Sequence, residues 1–578
     1  KLHTAHLPAE RTGEPGYAAD MLAGSFSAGK SEEAFASNSG IRKITLAFTG
    51  EGGTSEGDFH EALNLAAVWN LPVIILIENN GYALSTRAGE QYRCASLTDK
   101  AAGYGMEGVQ IDGNNVLEVL DTIRGVRSYC IRHQKPYLIE CRTFRMRGHE
   151  EASGTRYVPP HLLEEWKKKD PIDNYEAFLK NTGIITEDAI AAIREECRSY
   201  IEDELKHAFI PEIIVPDSAE ELKDVYAPSL PVSTGLTGEL AGGTNGMGET
   251  IRDQENARPP IRFIDAIKEG LTQSMEQHDS LILMGQDIAE YGGAFKITEG
   301  LADRFGKARV RNTPLCESAI VGCALGLSLE NFKAVVEMQF ADFVTAGFNQ
   351  IVNNLAKIHY RWGQRADVVI RMPTGGGVGA GPFHSQSNEA WFVHTPGLKV
   401  VYPSSPTDAK GLLIAAVNDP NPVLFFEHKL LYRTVSEIVP DQYYSIEIGK
   451  ARVIQEGEDI TVIAYGLAVH WALKYAERRP DLSFYILDLR TLSPLDHEAI
   501  RDAVTATGKV MILHEDTLTG GIGAEISAWI SEHCFELLDA PVMRCASLDT
   551  PVPFNKDLEE NFMAESRISE TVKKLMEY

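Results

Sequence analysis

The chain of 578 residues is too long for a single hydrophobic core, and its length predicts three or four domains. A hydrophobic content of 44% and a charged content of 24% exclude general disorder. The formal net charge of -27 argues against a nucleic acid partner, because phosphates require a basic surface. Solubility alone explains this charge, and a positively charged partner stays the alternative.

Two further features bear on where the protein acts. No apolar run reaches the roughly 18 residues that a membrane-spanning helix needs, so no membrane association is expected. The eight cysteines are scattered without a C-x-x-C pair, which favours reduced, mostly buried thiols over a disulfide framework or a zinc site. We therefore expect a cytoplasmic protein, with the mitochondrial matrix as the alternative.

The first half of the chain alternates strands and helices in the manner of parallel βαβ units. The apolar run Ile44–Phe48 predicts a strand, Glu56–Trp69 has apolar positions at helical spacing, and Pro72–Ile77 predicts a second strand. A helix over Val116–His133 and a strand over Tyr137–Cys141 continue the pattern. The charged stretch that follows, residues 160–206, predicts helices that cover the sheet.

Residues 214–260 are rich in proline and glycine and interrupt this alternation, so they are predicted as a linker. The α/β pattern resumes after the linker and starts again near Ile446. The predicted elements there are Phe263–Gln277, Leu281–Met284, Ser318–Leu327, Ala334–Glu337, Ile460–Ala464, Ser483–Asp488 and Val510–His514. The fold class is therefore three consecutive α/β domains with mainly parallel sheets, at residues 1–213, 261–445 and 446–578.

The first candidate site combines two turns. Gly50-Glu51-Gly52 follows a predicted strand, and taken alone it is most simply a tight turn. Twenty-six residues separate Gly52 from Asn79-Asn80-Gly81-Tyr82, which closes the next strand, and a βαβ crossover brings neighbouring strand ends together. A carboxylate, an amide oxygen and a backbone carbonyl are suitable ligands for Mg²⁺. A surface turn with an asparagine cap is the alternative.

This spacing resembles the metal–diphosphate motif of thiamine diphosphate enzymes. Glutamate at position 51, where most of those enzymes have aspartate, is similar to the α subunits of branched-chain 2-oxo acid dehydrogenases. The resemblance implies that Glu51, the Asn80 side chain and the Tyr82 carbonyl hold Mg²⁺. It also implies that three glycines lie against the diphosphate of the coenzyme: Gly50, Gly52 and Gly53.

A second segment of the first half, Arg145-Met146-Arg147-Gly148-His149, follows the strand near Cys141. A histidine after a strand is most simply a surface or packing residue. The segment is similar to the α-subunit loop whose histidine faces the reacting carbonyl, which implies a catalytic role for His149. Glu150 stands where vertebrate-type enzymes carry a phosphorylatable serine, so phosphorylation is not expected there.

The second half carries a glutamate at the start of a predicted helix, in Asn312–Glu317. Such a residue is most simply a helix cap. The stretch resembles the β subunits of the same family, which implies that Glu317 contacts the aminopyrimidine of the coenzyme and shares a proton with it. The stretch Met338–Phe343 resembles the β-subunit segment that lines the pyrimidine pocket, which implies that Gln339 and Phe343 contact the coenzyme. Burial of the phenylalanines in the hydrophobic core is the alternative.

The stretch Gly381–Ser387 resembles the β-subunit loop whose histidine points into the active site, which implies that His384 acts on the substrate. Phe425–Glu427 and Leu431–Arg433 also match that subunit, although the family often has proline where His428 stands. Farther along the chain, Asp488–Thr491 matches its C-terminal domain.

The resemblance covers the chain from about Ile44 to its C-terminus, in α-then-β order. It implies a diphosphate- and magnesium-binding domain, a pyrimidine-binding domain and a transketolase C-terminal-like domain, with metal ligands and Glu317 meeting around one coenzyme. The family also has a Tyr-Arg pair and an L-G-T-type turn before the first motif. Neither is found between Lys1 and Lys43, as expected if the chain lacks part of that segment.

The function implied is that of the E1 component of a 2-oxo acid dehydrogenase complex with fused α and β subunits. The coenzyme would be thiamine diphosphate with Mg²⁺, and the substrate a branched-chain 2-oxo acid such as 2-oxoisovalerate. The partners implied are the lipoyl domain of an E2 dihydrolipoyl acyltransferase and a second copy, in a homodimer equivalent to α2β2. Pyruvate is the alternative substrate; a transketolase-like enzyme and an inactive scaffold subunit are the alternative functions.

Overall fold

The computed structural model describes residues 43–150, 154–209, 216–228 and 258–578. The chain divides into two compact units, Lys1–Pro216 and Asp217–Tyr578. The expectations for residues 1–42 and for most of the predicted linker lie outside the described residues. Within the described part, no helix is both long and apolar enough to cross a membrane.

The first unit is built on a four-stranded parallel sheet in the order β1-β2-β6-β5. Valine, isoleucine and leucine fill its central strands, and apolar side chains of β2 and β6 are buried on both faces, as is usual where helices cover a parallel sheet. The strands are β1 (Thr45–Gly50), β2 (Val73–Asn79), the short hairpin β3 (Tyr82–Ala83) and β4 (Thr86–Arg87), β5 (Glu107–Asp112) and β6 (Tyr137–Arg142).

The helices of the first unit begin at recognisable caps. The Asn115 side chain accepts a hydrogen bond from Glu118 N and starts helix Val116–His133, and Asp170 caps helix Pro171–Asn181 in the same way. The charged stretch forms helices, as predicted. The helices are Gly57–Val68, Ala88–Gln91, Asp99–Gly103, Val116–His133, Pro160–Lys167, Pro171–Asn181 and Glu187–Ala208.

The second unit contains a seven-stranded sheet in the order β18-β12-β13-β11-β10-β8-β9, in which only the β12–β18 pair is antiparallel among the described pairs. Its strands are β8 (Leu281–Gly285), β9 (Val310–Asn312), β10 (Lys333–Glu337), β11 (Val368–Thr374), β12 (Lys399–Val401), β13 (Val423–His428) and β18 (Thr491–Ser493). A small ladder joins β7 (Ile261–Arg262) to β14 (Ser436–Glu437).

A five-stranded sheet completes the second unit, in the order β15-β17-β16-β19-β20. Its strands are β15 (Arg452–Gln455), β16 (Ile460–Ala464), β17 (Phe484–Asp488), β19 (Val510–Thr517) and β20 (Met543–Ser547). One continuous apolar core runs through both sheets and includes Phe263, Val335, Ile460 and Val572. The two predicted domains of the second half therefore share a core, and β18 crosses from the third predicted domain into the sheet of the second.

The helices of the second unit alternate with these strands. They are Ser218–Lys223, Phe263–Gln277, Leu301–Phe305, Glu317–Leu329, Ile358–Trp362, Ala390–Val393, Pro406–Asn418, Leu431–Thr434, Leu467–Arg478, His497–Thr507, Gly523–His533, Lys556–Phe562 and Ile568–Met576. The α/β fold class with mainly parallel sheets is confirmed. The first of these helices lies within the stretch predicted as linker, where Ala227 N also donates to Asn421 Oδ1 at 2.7 Å.

Candidate functional site

The first cluster lies where β1 and β2 end. These strands pair in parallel, with Gly50 opposite Glu78, so Glu51 and Asn80 leave the sheet at the same carboxyl edge. Glu51 is 1% exposed, and its Oε2 accepts a hydrogen bond from Asn80 N at 3.1 Å. Asn80 Oδ1 in turn accepts from Tyr82 N at 3.2 Å. The three residues predicted as metal ligands therefore lie together, and we call this cluster of Glu51, Asn80 and Tyr82 the first turn.

The oxygen atoms of this turn fit a hard cation. Among the described residues, Glu51 Oε1 is buried and has no hydrogen-bond partner, an arrangement that costs free energy unless a further group binds. The described residues contain no group of three or more His, Cys, Asp or Glu side chains able to hold a metal. Mg²⁺ at this turn would therefore rely on one carboxylate, one amide oxygen and a carbonyl, and complete its shell with diphosphate and water.

Asn79, the first residue of the Asn79-Asn80 pair, supports this turn rather than facing it. Its Nδ2 donates to Glu140 Oε1 at 2.6 Å and to Tyr92 Oη at 2.8 Å, and its Oδ1 accepts from Gly81 N at 3.0 Å. Glu140 is buried and also accepts from Leu97 N at 2.8 Å. Sequence reasoning missed Glu140, because a charged residue in an apolar strand gives no indication of its partner.

Of the three glycines predicted at the diphosphate, Gly52 is the most tightly constrained by its surroundings. A Cβ at Gly52 would overlap the Ala83 side chain, and one at Gly53 would press on Thr49 Oγ1 at 2.6 Å, whereas one at Gly50 would meet nothing within 4 Å. Gly52 therefore lets the Glu51 turn approach the hairpin that contains Tyr82.

Replacing Gly52 with alanine should weaken Mg²⁺-dependent binding of thiamine diphosphate by about 10–100-fold, because displacement of positioning groups by about 1 Å has effects of this size. Gly57→Ala is the matched control, since a Cβ at Gly57 meets nothing within 4 Å. Calorimetric titration measures both variants. Equal affinities for the two variants would contradict the steric role of Gly52.

The His149 segment begins beside the same turn. Arg145 Nη2 donates to the Leu84 carbonyl and to Tyr157 Oη, the latter at 2.8 Å. The Tyr82 ring packs against Tyr157, with ring centroids 5.7 Å apart. His149 itself is exposed on this unit. The structure thus places the start of its loop next to the predicted metal ligands, and the His149 side chain on the surface of the unit.

The second cluster lies at the carboxyl edge of the seven-stranded sheet. Gln286 follows β8, Glu317 follows β9, Gln339 follows β10, and His384 lies in the loop after β11. These four strands are neighbours in the order β11-β10-β8-β9, so the residues that follow them emerge along one edge. The order of the strands therefore places these four residues along the same edge of the sheet.

Glu317 is the first residue of helix Glu317–Leu329, one residue before the predicted start. Its carboxylate is partly buried, and Oε1 accepts a hydrogen bond from Gln286 Nε2 at 2.9 Å. Gln286 is 4% exposed, and among the described residues its Oε1 has no partner. Sequence reasoning missed Gln286; its position two residues after the predicted strand Leu281–Met284 was the available signal.

Aromatic rings surround His384. Its ring lies edge-on to Phe340 with centroids 4.7 Å apart, and to Phe343 at 5.5 Å. Both phenylalanines are only partly buried, so neither is a plain core residue. Gln339 Nε2 donates to Asp287 Oδ2 at 3.1 Å. The structure therefore brings Phe343 and His384 together, while Gln339, two residues after β10, is held by Asp287.

A buried ionic network joins the strands that lead to this edge. Arg371 on β11 binds Glu427 through two hydrogen bonds, at 2.7 and 2.8 Å, and binds Glu337 at 2.6 Å. Tyr432 Oη donates to Glu427 Oε2 at 2.7 Å. Burial favours a lower pKa for Arg371, but the two carboxylates dominate and raise it. The motif Phe425–Glu427 thus supplies a partner for Arg371, and Leu431–Arg433 supplies one for Glu427. Sequence reasoning did not single out Arg371.

Replacing Tyr432 with phenylalanine should lower the free energy of unfolding by about 1.5–3 kcal/mol, the usual worth of a hydrogen bond to a charged group. Tyr360→Phe is the matched control, because Tyr360 Oη makes the same bond to Glu221 at 2.6 Å on an exposed surface. That variant should change stability by less than about 0.5 kcal/mol. Urea unfolding midpoints compare the two, and similar losses would contradict the buried network.

Comparison with protein families adds to these observations. The family model described as dehydrogenase E1 component matches residues 14–211. The transketolase pyrimidine-binding domain matches residues 260–435, and the transketolase C-terminal domain matches residues 449–567. Each model covers one of the α/β regions predicted from the sequence.

Curated relatives match just over half of the chain. The chain is 47% identical over 326 residues to 2-oxoisovalerate dehydrogenase subunit beta of Bacillus subtilis (strain 168), covering 55% of this chain and 99% of that protein. It is 41% identical over 322 residues to the pyruvate dehydrogenase E1 component subunit beta of the same organism, with the same two coverages. A solved split-gene transketolase, an inactive beta4 tetramer, aligns with 55% of this chain and 99% of its own at a TM-score of 0.46 and 22% identity.

Proposed function

We propose a substrate for this chain from the premise that it belongs to the thiamine diphosphate-dependent E1 family of 2-oxo acid dehydrogenases, with α-like and β-like regions in one polypeptide. The substrate is a branched-chain 2-oxo acid such as 2-oxoisovalerate. The greater similarity to the 2-oxoisovalerate dehydrogenase β subunit than to the pyruvate dehydrogenase β subunit of the same bacterium carries this choice. Glu51 at the first turn also supports it.

Each unit contributes side chains with a defined task in this proposal. Bound thiamine diphosphate supplies the electron sink that 2-oxo acid decarboxylation requires. Glu51, Asn80 and the Tyr82 carbonyl would hold the Mg²⁺ that anchors the diphosphate, and Gly52 permits their close approach. The unpartnered oxygen of Glu51 among the described residues supports this assignment.

The carboxylate of Glu317 would exchange a proton with the aminopyrimidine. Gln286 supports this role, because its hydrogen bond to Oε1 orients the carboxylate. His384 would orient the substrate and donate protons, and its ring is held among Phe340 and Phe343. His149 would serve the same reaction from the exposed loop of the first unit, and Gln339 and Phe343 would line the pyrimidine pocket.

The acyl acceptor in this proposal is the lipoyl group of an E2 dihydrolipoyl acyltransferase. Loss of CO₂ leaves a group at the oxidation level of an aldehyde; its two-electron oxidation to an acyl group is coupled to cleavage of the lipoyl disulfide, so one sulfur would carry the acyl group as a thioester and the other would become a thiol. No further oxidant is needed. We also propose a homodimer, equivalent to the α2β2 assembly of two-chain enzymes, in a reducing compartment. The eight cysteines, all described, are free thiols, which is consistent with such a compartment.

A panel of 2-oxo acids tests the substrate directly, with thiamine diphosphate, Mg²⁺ and an artificial electron acceptor. We expect kcat/KM for 2-oxoisovalerate to exceed that for pyruvate by about 10–200-fold, the range that a hydrophobic pocket achieves for small differences in size. Equal or higher kcat/KM for pyruvate would assign the chain to that substrate instead. The 41% identity to a pyruvate dehydrogenase β subunit makes pyruvate the second candidate.

A further inference from the structure

The loop that contains His384 is unusually rich in glycine. It follows β11, and Gly375, Gly377, Gly379 and Gly381 all have φ between +69° and +87°. Glycine adopts this left-handed backbone easily but loses the most conformational freedom when it is fixed. A loop of this composition therefore needs contacts from outside its own sequence to hold a side chain in one place.

Glu559 supplies two of these contacts. Its side chain is only 4% exposed, its Oε1 accepts a hydrogen bond from Gly377 N at 2.8 Å, and its Oε2 accepts one from Gly379 N at 3.1 Å. Glu559 belongs to helix Lys556–Phe562, far along the chain from the loop. One carboxylate thus bridges two alternate amides, and hydrogen bonds to a charged acceptor are stronger than neutral ones.

Neighbouring side chains hold the start of the same loop. Glu515 Oε1 accepts from Gly376 N at 2.6 Å, and its Oε2 lies 2.5 Å from His428 Nε2. Lys429 Nζ donates to the Gly375 carbonyl at 2.5 Å. The loop is therefore anchored by Lys429, directly after β13, by Glu515 of β19 and by Glu559 of helix Lys556–Phe562.

Two contacts hold the end of the loop beyond His384. Gln386 N donates to Asp342 Oδ1 at 3.3 Å, and the Gln386 carbonyl accepts from Thr374 Oγ1 at 2.8 Å. Burial raises the pKa of Asp342, while the bond from Gln386 and the charges of Lys429 and His384 oppose that rise. With both ends fixed, the glycine segment bound by Glu559 determines where the His384 ring lies.

We propose that Glu559 is a positioning residue for the reaction: its carboxylate fixes the glycine loop so that His384 stays edge-on to Phe340 and Phe343. This inference rests on the proposed function only in assigning His384 to the reaction. Glu559 acts through the loop and has no contact with the substrate in this proposal. The Glu559→Gln variant tests it, because glutamine offers one acceptor oxygen and places an N–H group toward the second loop amide.

The first arm of the test measures the loop itself, in the protein without substrate. Hydrogen exchange of the peptide spanning residues 375–387 should accelerate at least about tenfold in Glu559→Gln, because the hydrogen bonds that two backbone amides of the loop donate to residue 559 are weakened. Glu560→Gln is the matched control on the same helix; Glu560 is exposed and forms a 3.7 Å ion pair with Lys556. Unchanged exchange in Glu559→Gln would overturn the inference, whatever the activity.

The second arm measures coupling to His384. Glu559→Gln should lower kcat by about 10–100-fold with little change in KM, while in a His384→Ala background it should change kcat less than about twofold. If the two substitutions instead lower kcat independently, so that their fold-losses multiply in the double variant, the inference is overturned and Glu559 has only a structural role. Wild-type turnover in His384→Ala would instead contradict the proposed role of His384, and the exchange result would stand separately.

A third variant keeps the test decisive if Glu559→Gln is too unstable to measure. Glu559→Asp retains the charge, and its carboxylate can reach one of the two loop amides. We therefore expect slower hydrogen exchange of the loop and a higher kcat in Glu559→Asp than in Glu559→Gln. The positioning role would be contradicted if both variants had a lowered thermal unfolding midpoint and showed the same hydrogen exchange in the loop.

Discussion

Replacing Glu317 with glutamine is expected to lower kcat for 2-oxo acid decarboxylation by about 10²–10⁴-fold, the range that a positioned acid–base group contributes. Glutamine retains the carbonyl oxygen that accepts from Gln286 Nε2, so the loop after β9 should keep its conformation. It cannot exchange a proton with the coenzyme. Steady-state turnover with an artificial acceptor measures the loss, and the thermal unfolding midpoint should stay unchanged.

Glu330→Gln is the matched control for this variant. Glu330 follows the last residue of the helix that Glu317 begins, and its side chain is exposed. We expect its turnover to stay within about twofold of wild type, because surface substitutions of this kind have small effects. Wild-type turnover in Glu317→Gln itself would show that Glu317 has no role in the reaction.

The second large effect is expected at the first turn. Glu51→Gln should weaken Mg²⁺-dependent binding of thiamine diphosphate by at least about 100-fold, since loss even of groups that merely support metal ligands costs about 10–100-fold. The substitution removes the negative charge that fits a divalent cation. Calorimetric titration of the coenzyme at fixed Mg²⁺ measures the change.

Two further variants make this result specific. Glu51→Asp should recover much of the affinity, because it restores a carboxylate and aspartate stands here in most related motifs. Glu56→Gln should bind like wild type, since Glu56 is exposed and lies just after the turn. Unchanged coenzyme affinity in Glu51→Gln, at every Mg²⁺ concentration, would exclude Glu51 as a metal ligand.

The fold was predictable because local patterns agree with it. Helices Val116–His133 and Phe263–Gln277 have the bounds that apolar spacing predicts, and Ile460–Ala464 is a strand over its full predicted length. Glu317 begins its helix one residue before the predicted start, because the free amides of the first turn tolerate an acidic residue there. Less predictable was β18, whose partner β12 lies far away in the sequence.

The candidate site was predictable only as far as motifs mark it. Glu51 and Asn80 are found together because strand ends of a βαβ unit converge, a rule that the sequence reveals. Gln286 and Glu559 were missed, because each acts on a partner remote in the chain; Glu559 and Gly377 are 182 residues apart. Such contacts depend on how the sheets pack, which no local pattern encodes.

The near-ultraviolet circular dichroism of thiamine diphosphate bound to the protein, followed as Mg²⁺ is added, tests most directly whether the first turn and Glu317 serve one coenzyme. We predict a signal in wild type that depends on Mg²⁺, no signal in Glu51→Gln, and a signal of altered shape in Glu317→Gln at full coenzyme occupancy. A wild-type signal in Glu51→Gln, or an unaltered one in Glu317→Gln, would contradict the account.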